Sequence, residues 1–310
     1  MRILLWHVHG SWTNSFVQGG HTYLLPVLPG RGPDGLGRAR TWDWPASTVE
    51  LSPEEIRRAD IDVVVAQRPE ELDRLIPDWT GRRPGADLPC VYVEHNTPWG
   101  PMDSTVHPAV GHPGVRVAHV THFNRLMWDT ADLPATVIEH GVVDPGYLYR
   151  GDLARAVAVI NDPVRRNRVT GTDLVLDLRR RVPVDLFGMR SEPLDGRDLP
   201  QAGLHPEMGR RRVYLHPNRW TSLGLSLVEA MHLGMPVVAV GTTEIHEAVP
   251  PAAGVVSNRP EVLQEALARL VADPAEARER GRAARRVALE RFGLKRFLED
   301  WDRLLEEVAG

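Results

Sequence analysis

A single carboxylate, Glu229, interrupts the apolar run RWTSLGLSLVEAMHLGMPVVAVGTTE at residues 219 to 244. Around it stand Leu223, Leu225, Leu227, Val228, Ala230, Met231 and Leu233. The segment therefore reads as a helix apolar nearly all round, followed by a buried strand, with Ser226, Glu229 and His232 as its only polar strip. An ionised carboxylate buried without donors costs several kcal/mol, so Glu229 must find hydrogen-bond donors or the strip must meet solvent. Sugar hydroxyls are suitable donors. Other constellations carry less chemistry. Asp60 and Asp62 open the strand VVVA rather than stand as a metal-binding pair, and His7 and His9, with His21 nearby, lack the Cys or carboxylate that would complete a zinc set. Those histidines read as core or acceptor-site groups. No metal is expected. The chain has no Gly-x-Gly-x-x-Gly and no phosphate-loop lysine motif, so dehydrogenase and NTPase chemistry lack their anchors.

The elements that must position Glu229 follow from short Val- and Ile-rich runs: RILLWHV, DVVVAQ, CVYVEH, VRVAHVTH, ATVIEHG, AVAVIN, VPVDLFG, RVYLHP and MPVVAVG. Runs apolar on both faces suit parallel strands covered by helices. SPEEIRRAD between two of them opens with a Ser cap, Pro at the first helical position and an early Glu pair. The alternation predicts α/β units. From Pro260 to Val308 the chain reads as helical throughout, and Phe297, Trp301, Leu304, Leu305 and Val308 form one apolar stripe. Gly141, Pro145, Gly146 and Gly151 punctuate a linker at residues 143 to 154. Two doubly wound domains are expected, 1–148 and 149–310, the second carrying the helical tail. A ligand is expected at the carboxyl ends of the strands.

In order and spacing the Glu229 segment resembles the donor-binding signature of retaining GT-B glycosyltransferases, the group 1, family 4-like enzymes. Their pattern runs Pro-Ser-x-x-Glu-Gly-Phe-Gly-Leu, three residues, Glu-Ala-Met, then Gly-x-Pro-Val-Val. Here it is Pro217, Asn218, Arg219, Trp220, Thr221, Ser222, Leu223, Gly224, Leu225, then Glu229, Ala230, Met231, and Gly234, Met235, Pro236, Val237, Val238. The resemblance implies that Glu229 accepts from the ribose hydroxyls of a nucleotide sugar and that N–H groups near Gly224 and Leu225 meet its diphosphate, with Asn218, Thr221 and Ser222 beside the donor. Glycine allows close backbone approach, and a helix start presents N–H groups to an anion. Thr221 departs from the pattern, standing where the family places the first Glu of a pair that holds the transferred sugar. A threonine hydroxyl is shorter, neutral, and donates as well as accepts, which bears on sugar choice and rate. Glu244, at a family glycine position, would partly replace that carboxylate.

The same resemblance implies a basic pair after the strand AVAVIN. Gly171 and Asp173 match the family, while Thr170 stands where Lys is usual and Asn161-Asp162 where Gly-Arg is usual. Arg165, Arg166 and Arg168 lie between. Arginine forks would bind the diphosphate, Arg165 as the catalytic one, or the run is a solvated surface. Gly19-Gly20 resembles the family's glycine loop at the donor phosphate, with a helix starting around His21. His95, ending CVYVEH, stands where the family carries a His facing the transferred sugar, and His122 in VTHFN is its rival. His216, before Pro217, would lie near the nucleotide.

Composition agrees with a soluble two-domain protein: 310 residues, 42% hydrophobic, 25% charged, net charge −4. That balance gives no electrostatic reason to expect nucleic acid as a partner. One cysteine, Cys90, excludes an intrachain disulfide framework, and the N-terminal apolar run is too short for a signal peptide or membrane span. A cytoplasmic enzyme is expected, using a nucleoside diphosphate sugar as substrate and no cofactor. It would transfer with retention and without metal to an acceptor the sequence leaves open. A binding homologue with weak or no transfer, and an epimerase or hydrolase on the same fold, are the alternatives.

Overall fold

The computed structural model describes residues 1–310 and divides into two compact units, Met1–Val143 with Leu294–Gly310, and Asp144–Gly293. Each is built on a wholly parallel sheet. In the first unit the strands are β1 (Arg2–Leu5), β2 (Thr22–Pro26), β3 (Thr48–Leu51), β4 (Val63–Ala66), β5 (Cys90–Glu94), β6 (Arg116–His119) and β7 (Ala135–Val137), in the order β3-β2-β1-β4-β5-β6-β7. Register pairs include Ile3 with Val63 and Val64 with Cys90. The second unit holds β8 (Leu153–Val159), β9 (Val184–Phe187), β10 (Arg211–His216), β11 (Val237–Val240) and β12 (Gly254–Ser257), ordered β12-β11-β10-β8-β9. All nine runs named from sequence contain strands.

These orders fix where a ligand can enter. In the first unit the chain winds from β1 outward to β3, then returns to β4 and winds the other way. In the second it runs from β8 to β9 and then restarts at β10 on the opposite side. The loops leaving neighbouring strands diverge at β1/β4 and at β8/β10, and each divergence opens a crevice at the carboxyl edge.

Packing follows the patterning. Leu4, Val64, Ala66, Cys90, Tyr92 and Val117 lie in the core of the first unit, and Ala156, Ala158, Val213, Leu215, Val238 and Leu267 in that of the second. The helix Pro53–Arg58 starts as read: the Ser52 hydroxyl accepts from Glu55 N–H and the Glu55 carboxylate accepts from Ser52 N–H at 2.8 Å. No helix is long and apolar enough to cross a membrane.

The tail differs from expectation. Helices Pro260–Ala272 and Pro274–Arg291 belong to the second unit, but Leu294–Ala309, expected there too, belongs to the first. Its stripe finds an aromatic surface: Trp301 packs 5.6 Å from the Trp12 ring and 5.1 Å from Phe16. Arg296 donates to the carbonyls of Glu139 and His140, and His21 pairs with Asp302 at 2.9 Å. Gly141 lies under Phe297, where a Cβ would collide with the ring.

Candidate functional site

At the β8/β10 crevice of the second unit, two loops are clipped together. After β8 the backbone turns through Asp162 at φ 57°, and the helix Pro163–Thr170 is broken by Asn167 at φ 21°. Gly171 follows at φ 72°, so close to Pro217 that a Cβ would overlap its carbonyl, and only glycine suits both conditions. The N–H groups of Arg219 and Trp220 donate to Val169 O at 2.9 and 3.2 Å. The Arg219 guanidinium forks onto Asp173 at 2.6 and 3.0 Å. Thr242 Oγ1 donates to Asn218 O, and Asn218 Nδ2 donates to Thr221 Oγ1 at 3.1 Å.

The three arginines of the first loop have different situations. Arg165 is exposed and paired with Asp162, and Arg168 is exposed and paired with Asp173 at 3.1 Å. Arg166 is half-buried and has no carboxylate or carbonyl partner. Burial first, then the charge of Arg165, holds its pKa below the usual arginine value, opposed by Asp162. An unpaired guanidinium in that setting is stabilised by any anion that reaches it.

The second loop leads into the helix Leu225–Leu233, whose start at Gly224 carries no side-chain cap. A Cβ on Gly224 would lie 2.7 Å from His216 Cε1, so glycine lets the helix start approach the ring. His216 is buried, which depresses its pKa to about 4 and leaves it neutral near pH 7. Ser222 is buried, while Thr221, Gly224 and Leu225 are half-buried along the same loop.

On the polar strip of that helix Glu229 and His232 are buried, and Ser226 is half-buried. Ser226 Oγ bonds the Tyr214 hydroxyl at 2.8 Å, and His232 Nδ1 donates to Val228 O at 3.0 Å. Glu229, 5% exposed, accepts from Gln201 Nε2 and His205 Nε2, both at 3.3 Å. Neither donor was anticipated from sequence. Both contacts are long for charge-assisted hydrogen bonds, and a carboxylate has about four lone-pair positions, so acceptor capacity remains. Glu244 does not stand free: it is buried and paired with Arg291 at 3.3 Å.

The β1/β4 crevice of the first unit gathers neutral polar rings. Gln67, after β4, donates its amide N–H to Trp6 O at 2.9 Å, which turns its oxygen toward His95 Nε2 at 3.1 Å. His95 therefore carries its proton on Nε2, and Nδ1 is left as an acceptor. Its ring lies 4.0 Å from His9, 5.2 Å from Trp12 and 6.4 Å from His140. Burial, then the neighbouring His9 and His140, push His95 well below the usual histidine range; burial, then Arg68, lowers His9 to about 4. Beneath them the buried Glu71 accepts from Gln67 N–H at 2.7 Å and Arg68 Nε at 2.8 Å.

Two expected site positions fall elsewhere. His122 does not end a strand; it is the exposed first residue of the helix His122–Met127, capped by Thr121, outside the histidine cluster. Gly19 and Gly20 are not followed by a helix. The helix Gly10–Phe16 precedes them, β2 follows, and the pair lies at the amino edge beside Met1, opposite the crevice. Gly19 makes room for the Tyr23 hydroxyl rather than for a phosphate.

Comparison with known proteins agrees with this architecture. Residues 199–287 match the family described as glycosyl transferases group 1, a span holding Gln201, His205, the Pro217–Gly224 loop and Glu229. No curated protein matches the chain. HepE from Anabaena, solved with UDP-glucose, is 14% identical with TM-score 0.72 over 99% of this chain and 100% of its own. Sucrose-phosphate synthase from Thermosynechococcus elongatus is 14% identical with TM-score 0.68 over 99% and 98%. TarM from S. aureus, solved with UDP, is 14% identical with TM-score 0.61 over 78% of this chain, which spans 55% of that protein. The chain thus has the GT-B fold, two parallel α/β sheets with C-terminal helices, and its residues 199–287 match the glycosyl transferases group 1 family.

Proposed function

We propose that this chain transfers a sugar from a uridine diphosphate sugar to an acceptor hydroxyl, retaining anomeric configuration and requiring no metal. The observation that carries the reading is the β8/β10 crevice, where the uncapped helix start at Gly224 and the unpartnered Arg166 belong to two loops clipped together. Helix N–H groups and a guanidinium would stabilise charge as it develops on the departing diphosphate, the role a metal ion takes in other transferases. Glu229 would complete its hydrogen bonding on the ribose diol, with Asn218, Thr221, Ser222 and His216 along the donor. Arg168 is committed to Asp173 and Arg165 to Asp162, so both act through the loop's shape unless donor binding releases them.

His95 would meet the transferred sugar or the acceptor through its free Nδ1. The match over residues 199–287 and the HepE complex with UDP-glucose support a UDP-sugar donor. Calorimetric titration with UDP, GDP, ADP and UDP-glucose, each with and without EDTA, tests the reading together with UDP release in the presence of simple sugars. UDP binding unaffected by EDTA, with release of UDP from UDP-glucose, is the expected result. Absence of binding by every nucleotide sinks it.

A second reading, a donor-binding homologue with little transfer, is favoured by one observation. Thr221 is a neutral hydroxyl already engaged by Asn218. Tight donor binding without slow donor hydrolysis or transfer would select it.

A further inference from the structure

One face of the helix Pro274–Arg291 carries cations that no group in the protein neutralises. Arg278, Arg282 and Arg286 stand one turn apart and are exposed. Other arginines of the helix are engaged, Arg280 with Glu276, Arg285 with Asp144 and Arg291 with Glu244. Glu279 and Glu290 are exposed on the same helix and pair with none of the three. Arg282, Arg285 and Arg286 line a cavity of about 310 Å³ together with Tyr147 and Leu289.

The cavity has a fixed floor. Arg285 forks onto Asp144 at 3.0 and 2.9 Å and donates to His232 O. Tyr147 lies on Gly234, where a Cβ would overlap its ring. Tyr147 and Leu289 nevertheless remain 45% exposed. Two half-exposed apolar side chains therefore stand among unpaired guanidinium groups.

We propose that this face docks on an anionic phospholipid surface, Arg278, Arg282 and Arg286 binding lipid phosphates and Tyr147 and Leu289 entering the headgroup region. Charge complementarity sets the sign of the partner: the chain as a whole is acidic, with a net charge of −4, while this face presents three exposed arginines that no carboxylate pairs. The apolar pair selects lipid over a soluble polyanion. A duplex or an acidic protein offers anions along its surface but no layer into which Leu289 can insert, whereas a bilayer offers both. Arginine stems also lie well along an apolar boundary while their heads stay wet.

Sedimentation of the full chain with vesicles tests this. Vesicles of phosphatidylcholine with 30 mol% phosphatidylglycerol should bring down the protein at about 0.1 M salt, and phosphatidylcholine alone should not. Each arginine near such a surface contributes roughly fivefold in partitioning, so Arg282→Gln with Arg286→Gln should weaken binding about 25-fold. Both positions are exposed, and an unchanged melting temperature confirms that the pair of substitutions leaves the fold intact. Leu289→Ser should remove the binding that persists at high salt. The proposal is overturned by equal sedimentation with neutral vesicles, by an unaffected double variant, by full displacement with millimolar inorganic phosphate, or by binding to a DNA duplex without binding to vesicles.

Discussion

Replacing Glu229 by Gln separates a structural carboxylate from a nucleotide-holding one. In the free protein Glu229 accepts two hydrogen bonds, from Gln201 and His205, both at 3.3 Å. A glutamine keeps the shape but offers one oxygen and one NH₂, so one donor is left facing another. That mismatch should lower stability of the free protein by about 1–3 kcal/mol. A ribose diol hydrogen-bonded to the charged carboxylate would lose charge assistance, about 1.5–3 kcal/mol, or roughly 10- to 100-fold in Kd. With UDP at one hundred times the wild-type Kd, ligand stabilisation is about 2.7 kcal/mol for the wild type. It falls to about 1.4 kcal/mol for a tenfold loss of affinity and about 0.4 kcal/mol for a hundredfold loss. For a unit of this size each kcal/mol moves Tm by about 2–4 °C, so thermal melts with and without UDP resolve both effects. A variant that melts lower when free but gains the full wild-type increment from UDP would refute a ribose role, leaving Glu229 as a clamp between two helices.

Arg166→Ala should raise the Kd for UDP about 10- to 100-fold by calorimetry while hardly changing the melting temperature of the free protein, because the guanidinium has no protein partner to lose. Gly171→Ala adds a Cβ at φ 72° against Pro217 O and should cost more than the roughly 1–2 kcal/mol of a left-handed residue alone, measured by urea unfolding. Stability should fall as pH drops from about 6.5 towards 4: His119, held at about 3, and His216, at about 4, stay neutral in the folded chain while the unfolded chain takes up protons below its pKa of about 6.5. Each contributes several kcal/mol that is complete above the unfolded pKa, so urea midpoints measured from pH 7 to 4.5 should decline and His216→Gln should flatten the decline. Deleting Leu294–Gly310 removes Phe297, Trp301, Leu304 and Leu305 from burial, at about 1.5–3 kcal/mol each, and should unfold the first unit, seen as rapid proteolysis of residues 1–143.

Central strands were legible in the sequence because both their faces are covered, and a run such as VVVA is the direct record of that burial. The strands that went unread, Thr22–Pro26, Thr48–Leu51 and Gly254–Ser257, lie at or beside sheet edges. They carry Pro26, the exposed Val49 or an initial Gly254, so their pairing depends on neighbours rather than on composition. Gly19-Gly20 was misplaced for a related reason: two glycines mark a turn without saying which end of the sheet the turn serves. The position of Glu229 within its helix was readable from order and spacing alone. Its partners were not, because Gln201 and His205 reach it from a separate helix. A Gln and a His four residues apart, on one face of the segment QAGLHPEMGR, were the available signal.

The chemistry of the two crevices differs in kind, and the difference bears on how the work would be divided. In the β1/β4 crevice His9 and His95 are held neutral by burial, and Gln67 fixes the His95 proton on Nε2. Neutral imidazoles and an amide recognise hydroxyls, which donate and accept, and they gain little from a diphosphate. The second unit instead carries an unpaired guanidinium and an uncapped helix start on its two clipped loops, and a carboxylate with acceptor capacity to spare within the helix that follows. That set suits an anion joined to a diol, which is the chemical description of a nucleotide's diphosphate and ribose. On the proposed function, hydroxyl recognition would fall to the first unit and phosphate recognition to the second. Changes at His9 or His95 should therefore alter acceptor dependence while leaving UDP affinity unchanged, and changes at Arg166 the reverse.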